Sequence, residues 1–244
     1  MPLSNVKPLV GALLATWLAL CVSACSEPEA VPIAQFIAQE KALYARDNEE
    51  LLIRHFFKDR REGIYIDVGC FDYKDYSTTY YLEEHLGWRG IGIDAEEMHR
   101  DGWEKHRTES KFFAYAVSDK SGETITFHRA GALSATDDDY ENLKFWKERR
   151  KFETRSVDVE TITLDDLLKR EGLSKVDFLS LDINGAEPIA LAGFDIKRFK
   201  PDLVHVEASP HRQEELRKYF DENGYRLIEE YAAYDATNWY LTPR

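Results

Sequence analysis

The chain predicts an α/β fold built on a mostly parallel sheet with helices on both faces. Three observations carry this. Short apolar runs rich in β-branched and aromatic residues recur, helical periodicity lies between them, and four of the runs stop on an acidic residue. Buried parallel strands read as near-continuous apolar runs, and strand–helix alternation implies crossovers that cover both faces. The central run is Gly63-Ile-Tyr-Ile-Asp67-Val-Gly69, because it ends in Asp-x-Gly. In an open α/β sheet, ligands bind outside the carboxyl ends of the strands. Asp and Gly also favour ordinary turns for local reasons, so the motif alone is weak.

The elements follow in order. Residues 33–37 and 51–56 show one apolar stripe, with Asp47-Asn-Glu-Glu50 as a capping box restarting a helix towards residue 60. This segment carries no evident chemistry. Strand 63–69 leads to a helix over 76–86, and Gly90-Ile-Gly-Ile-Asp94 forms a second strand closing on an acid. A helix over 96–106 precedes a third strand at 112–117, and 124–127 alternates as a strand does. Residues 131–155 lack clear periodicity apart from a short helix near 143–149, a length that suggests a lid or substrate loop. Strand 157–163, helix 164–171 and strand 176–182 come next, the last ending on Asp182. Helix 186–192, strand 203–207 ending on Glu207 and helix 211–223 follow; strands 226–231 and 238–241 then pair antiparallel.

Composition bounds the function. With 244 residues, 43% hydrophobic and 32% charged, the chain is long enough for one domain with a sizeable core. A net charge of −13 argues against a nucleic-acid groove, which needs a basic stripe. The basic block Lys147-Glu-Arg149-Arg150-Lys151 follows the acidic run 137–139, so both read as a solvated mixed-charge segment. There is no His-Glu-x-x-His and no paired-cysteine spacing, so no metal is expected.

The first residues differ. A single Lys7 precedes an apolar run over 9–20, and Val22-Ser23-Ala24-Cys25 resembles the lipobox of bacterial lipoproteins. The run is short for a spanning helix, which needs about 20 apolar residues. Residues 1–25 are therefore expected to be a signal peptide. Cys25 would be the lipidated membrane anchor, 26–62 a linker with a helical extension, and 63–244 the functional domain. The expected location is the cell envelope, facing the periplasm, or the cytoplasm if the leader is not real. Removal of Cys21 and lipidation of Cys25 would leave Cys70 alone, a small buried hydrophobe rather than a nucleophile.

Acids at the carboxyl ends of parallel strands share one sheet edge, so Asp67, Asp94, Asp182 and Glu207 should converge. Together they repel and raise one another's pKa unless a cation or hydroxyl donors sit among them. Acids at strand ends are also common helix caps. His205 shares a face with Glu207, two positions away, and a core histidine accounts for it better than a catalytic one.

Several segments resemble the FkbM family of S-adenosylmethionine-dependent methyltransferases. They are Asp67-Val-Gly69, Tyr76-Ser77-Thr78-Thr79-Tyr80, Leu86-Gly-Trp88-Arg-Gly90-Ile-Gly-Ile-Asp94, Ala116-Val117-Ser118, Thr163-Leu164-Asp165-Asp166-Leu167 and the run from Val176 to Gly185. The resemblance runs in family order from about Gly63 to the C-terminus. It implies a class I methyltransferase (Rossmann-like) fold, with a seven-stranded sheet and a C-terminal antiparallel hairpin. It implies that Asp67 and Gly69 lie at the methionine end of the cofactor, Asp94 at the ribose hydroxyls, and Val117 and Ser118 beside the adenine. Asp182 would serve both the cofactor and, as first candidate base, the methyl acceptor, with Glu207 second. Family members often read Asp-x-Glu-Gly where this chain has Asp182-Ile-Asn184-Gly185. The expected activity is O-methylation of a hydroxyl on a sugar, glycolipid or other small acceptor. An exported protein would not ordinarily meet this cytosolic cofactor. The alternative expectation is a tethered envelope lipoprotein that keeps the fold as a non-catalytic binding module.

Overall fold

The computed structural model describes residues 31–137 and 140–244. The expected leader, lipobox and Cys25 anchor lie outside them. Val31–Arg244 forms one compact unit. No helix among the described residues is long and apolar enough to cross a membrane.

A seven-stranded sheet organises the molecule. Its strands are β1 (Ile64–Val68), β2 (Arg89–Asp94), β3 (Lys111–Ala114), β8 (Phe178–Leu181), β9 (Leu203–Glu207), β10 (Tyr225–Leu227) and β11 (Asn238–Pro243). The spatial order is β10-β11-β9-β8-β1-β2-β3. β1 pairs in parallel with β2 and β8, whereas β11 runs antiparallel to both β9 and β10. This is the class I methyltransferase sheet, with its closing antiparallel hairpin. A second sheet, absent from the sequence expectation, has the order β4-β7-β5-β6. Its strands are β4 (Ala116–Val117), β5 (Thr124–Arg129), β6 (Ala135–Thr136) and β7 (Arg155–Ile162). The run expected as one strand over 112–117 is thus divided at Tyr115, and its two halves serve different sheets.

The pleat sends alternate side chains to opposite faces, and the two faces carry separate cores. Ile66 and Val68 of β1 join the cluster formed with Leu164, Leu167 and Leu168 of α6 (Leu164–Arg170). Helices α7 (Glu187–Ala192), α8 (Ile196–Phe199) and α9 (Gln213–Glu222) cover the same face. The other face takes Tyr65, Phe178 and Leu203, packed beneath α2 (Glu49–Phe57) and α3 (Tyr80–Leu86). Leu52 and Ile53 of α2 are wholly buried there, with Ile33 of α1 (Ile33–Gln39) beside them. The N-terminal extension is therefore a structural layer of the domain. The expected capping box does not form: Asn48 precedes the helix without a side-chain cap, and Glu50 instead accepts from the N–H groups of Leu43 and Tyr44 at 3.1 and 3.0 Å.

Near the third core, Cys70 is buried with Trp103 of α4 (Arg100–His106) and Phe112. Burial pushes its thiol well up, which suits an inert side chain. Residues 131–155 are not a plain loop. They hold β6 and the helix α5 (Tyr140–Arg150), which is longer than the short helix expected near 143–149.

Candidate active site

Strands β1, β2, β8 and β9 run parallel, so their carboxyl ends open on one edge. A cavity of about 390 Å³ lies there, within the usual range for small-molecule sites. Asp94, Asp182 and Glu207 line it together with Gly69 and Val117. A second cavity of about 450 Å³ adjoins it, sharing Arg46, Leu133, Asn184, Glu207 and Thr237.

Two of the residues expected at the site do not line the cavity. Asp67 occupies the pleat position between Ile66 and Val68, so its side chain turns to the face of Tyr65. It is buried there and accepts a bond from the Thr79 hydroxyl at 2.6 Å. Arg107, wholly buried, donates to Thr79 and pairs with Glu83 at 2.8 Å, which ties the Asp67 carboxyl into an internal polar network. Burial pushes the Asp67 pKa to about 6, the Thr79 bond and Arg107 holding it back and the charges of Asp182 and Asp94 adding to it. Ser118 is also buried; its hydroxyl donates to Asp119 and its N–H to the carbonyl of Ile162.

Asp94 stands at the tip of β2. Its two carboxylate oxygens accept the N–H groups of Glu96 and Phe71 at 2.8 and 3.0 Å, which fixes its orientation. Burial raises its pKa, and the Glu96 N–H opposes the rise. Each of those oxygens retains a second lone pair for a hydroxyl donor. Ile93, Val117 and Phe127 supply apolar wall beside it. An acid set among flat apolar surfaces suits an adenosine: the acid accepts from ribose hydroxyls and the walls hold the base. The buried hydroxyl oxygen of Thr136, which also lines the cavity, has no hydrogen-bond partner within the protein, as a polar atom awaiting a ligand would. The residues present therefore fit S-adenosylmethionine.

Asp182 follows β8 directly, and its side chain remains exposed to the cavity. The protein surrounds it closely enough that burial raises its pKa, with Arg46 opposing and Asp235 adding. Gly69 is required beside it. Its φ is +82°, and a Cβ would come within 1.9 Å of the Asp182 carbonyl oxygen. Asn184 adopts φ 53° and donates its amide to the carbonyls of Ala132 and Ser134 at 3.3 and 3.1 Å. A glutamate there could not donate, so the departure from Asp-x-Glu-Gly ties the turn after β8 to the segment preceding β6.

Sequence reasoning missed Glu187, Arg46 and Glu96. Glu187 is fully buried; one oxygen accepts the N–H groups of Ile183 and Gly185, while the other has no partner. Burial raises its pKa to about 7. In the sequence it resembles an ordinary first-turn acid. Glu96 lines the cavity and pairs with Arg129 at 3.2 Å, also without a sequence signal. His205 is wholly buried, bonds Ser180 at 3.0 Å and is pushed down to about 4 by burial, so it is a neutral core histidine.

Residues 63–227 match the model of the FkbM methyltransferase domain. No curated protein is significantly similar. Among solved structures, a TehB-like SAM-dependent methyltransferase from Corynebacterium glutamicum is 12% identical with a TM-score of 0.43, covering 86% of this chain and 93% of that one. A SAM-dependent methyltransferase from Geobacter sulfurreducens, in complex with S-adenosyl-L-homocysteine, is 9% identical with a TM-score of 0.37 over 84% and 78%. Those likenesses are faint, and the fold rests on the strand order above. The domain match spans most of the chain, and the chain belongs to the FkbM family of S-adenosylmethionine-dependent methyltransferases.

Proposed function

We propose that the protein O-methylates a hydroxyl on a small acceptor such as a sugar or glycolipid, with Asp182 as the base. The observation that supports this most is the position of Asp182. It is the acid that both faces the cavity and sits on the turn held against Gly69. When bound, the cofactor supplies a methyl on a sulfonium and leaves as a neutral thioether. Asp182 would hold the acceptor hydroxyl and take up its proton. A carboxylate whose pKa is raised by burial is a better base than a solvated one. Glu207 borders both cavities and orients the acceptor, and alignment of acceptor and methyl supplies much of the rate.

The test is incubation of the full chain with methyl-labelled S-adenosylmethionine and a panel of hydroxylated sugars and glycolipids. Label recovered in a base-stable ether supports the proposal. Label confined to esters or amines overturns it. We further propose envelope attachment through a lipidated Cys25, on the strength of the 9–25 sequence alone; fractionation that leaves the protein wholly in the cytoplasm would end that idea.

A further inference from the structure

Five carboxylates line the donor cavity, namely Glu49, Asp94, Glu96, Asp182 and Glu207, against a single cation among the described lining residues, Arg46. Arg46 lies outside the family domain, which begins at residue 63. Its segment has no helix or strand, yet it is tied down on both sides. Glu50 binds the N–H groups of Leu43 and Tyr44; the Tyr44 hydroxyl bonds His85 at 3.0 Å, and the Asn48 amide donates to the Tyr234 carbonyl at 2.9 Å. These bonds hold the chain across the open edge of the sheet.

Arg46 Nε donates to Asp47 at 3.0 Å, an exposed pair worth little in water. A planar guanidinium has further donors arranged to match a carboxylate. Arg46 also acts electrostatically on Asp182, the two being the opposed charges at this end of the cavity. An amino-acid group is a zwitterion, and a cation beside an acid is its complement.

Resting on the methyltransferase assignment, we propose that Arg46 binds the carboxylate of the methyl donor's amino-acid moiety, so that the N-terminal extension completes a site the family domain leaves open. The segment is therefore part of the active site and not only a cover for the sheet.

The test compares two probes by calorimetry on the full chain: S-adenosylhomocysteine, which carries the amino-acid group, and methylthioadenosine, which lacks it. Arg46→Gln is expected to weaken S-adenosylhomocysteine tenfold or more and to leave methylthioadenosine within twofold, with Arg46→Lys in between. Equal losses for both probes would overturn the proposal, since Arg46 would then support the fold or the nucleoside. No loss for either would overturn it too, assigning Arg46 to the acceptor side. If the unmutated chain binds neither probe, the donor assignment itself fails, a result distinct from the other two.

Discussion

Asp67 and Asp182 lie at the ends of neighbouring parallel strands, on either side of the Val68–Leu181 pair and two register steps apart. They are put to opposite uses. Asp67 is enclosed, bonded to Thr79 and backed by the Arg107 network, whereas Asp182 faces the cavity. The difference follows from where each strand stops. Asp67 precedes the last residue of its strand, so its direction is dictated by the alternation of Tyr65, Ile66 and Val68; Asp182 lies just past the strand, where a turn aims it at the edge. An acid at a strand end thus becomes a tool or a brace according to whether the pleat of the strand or the turn after it sets its direction.

The largest expected effect breaks this contrast from the cavity side. Asp182→Asn should lower kcat by about 10²–10⁴, the usual worth of a general base, with thermal unfolding little changed. A variant with full kcat would remove Asp182 from the chemistry. From the enclosed side, Arg107→Met leaves Glu83 and Asp67 without their buried cation. Urea unfolding should show a loss of about 3–5 kcal/mol, the range for breaking one partner of a buried ion pair. Unchanged stability would mean that the network is dispensable and that Asp67 is not a brace.

The smallest effect concerns pH. Glu187 has a folded pKa of about 7 against an ordinary 4.5, so the folded state holds the extra proton between these values. Stability from this group is present at low pH and is lost as pH rises through about 7. Glu187→Gln should therefore gain about 1 kcal/mol on the unmutated chain between pH 6.5 and 8. Comparing the two proteins cancels His205, which acts oppositely: its folded pKa of about 4 costs stability as pH falls from 6.5. Parallel stability curves would show that the orphaned Glu187 oxygen is charged throughout.

Much of the fold was legible because its causes are local. Apolar runs bounded by turn residues marked all seven strands of the main sheet to within a few residues, and the final antiparallel pairing followed from two short strands at the end. The small second sheet was not legible. Its strand β4 continues the apolar run of β3, and nothing in that run shows that pairing passes from β2 to β7 at Tyr115. The helix over 76–86 proved shorter because Ser77 accepts the N–H groups of Thr79 and Tyr80, and Tyr76 takes φ 63°; the helix begins only after this turn. At the site, the convergence of Asp94, Asp182 and Glu207 was legible from strand ends alone. The position of Arg46 was not, because a segment without periodicity offers no face to assign.

The sequence by itself determined which segments become the strands of the main sheet, that its central strands lie parallel, and hence that their terminal acids meet on one edge, because period and burial are written residue by residue. Only the tertiary structure decided which acid is enclosed and which faces the cavity, that a helix ahead of the family domain packs on one face of the sheet, and that one arginine from that extension stands among five carboxylates. Those outcomes depend on register and on contacts between residues far apart in the chain, which no local pattern encodes.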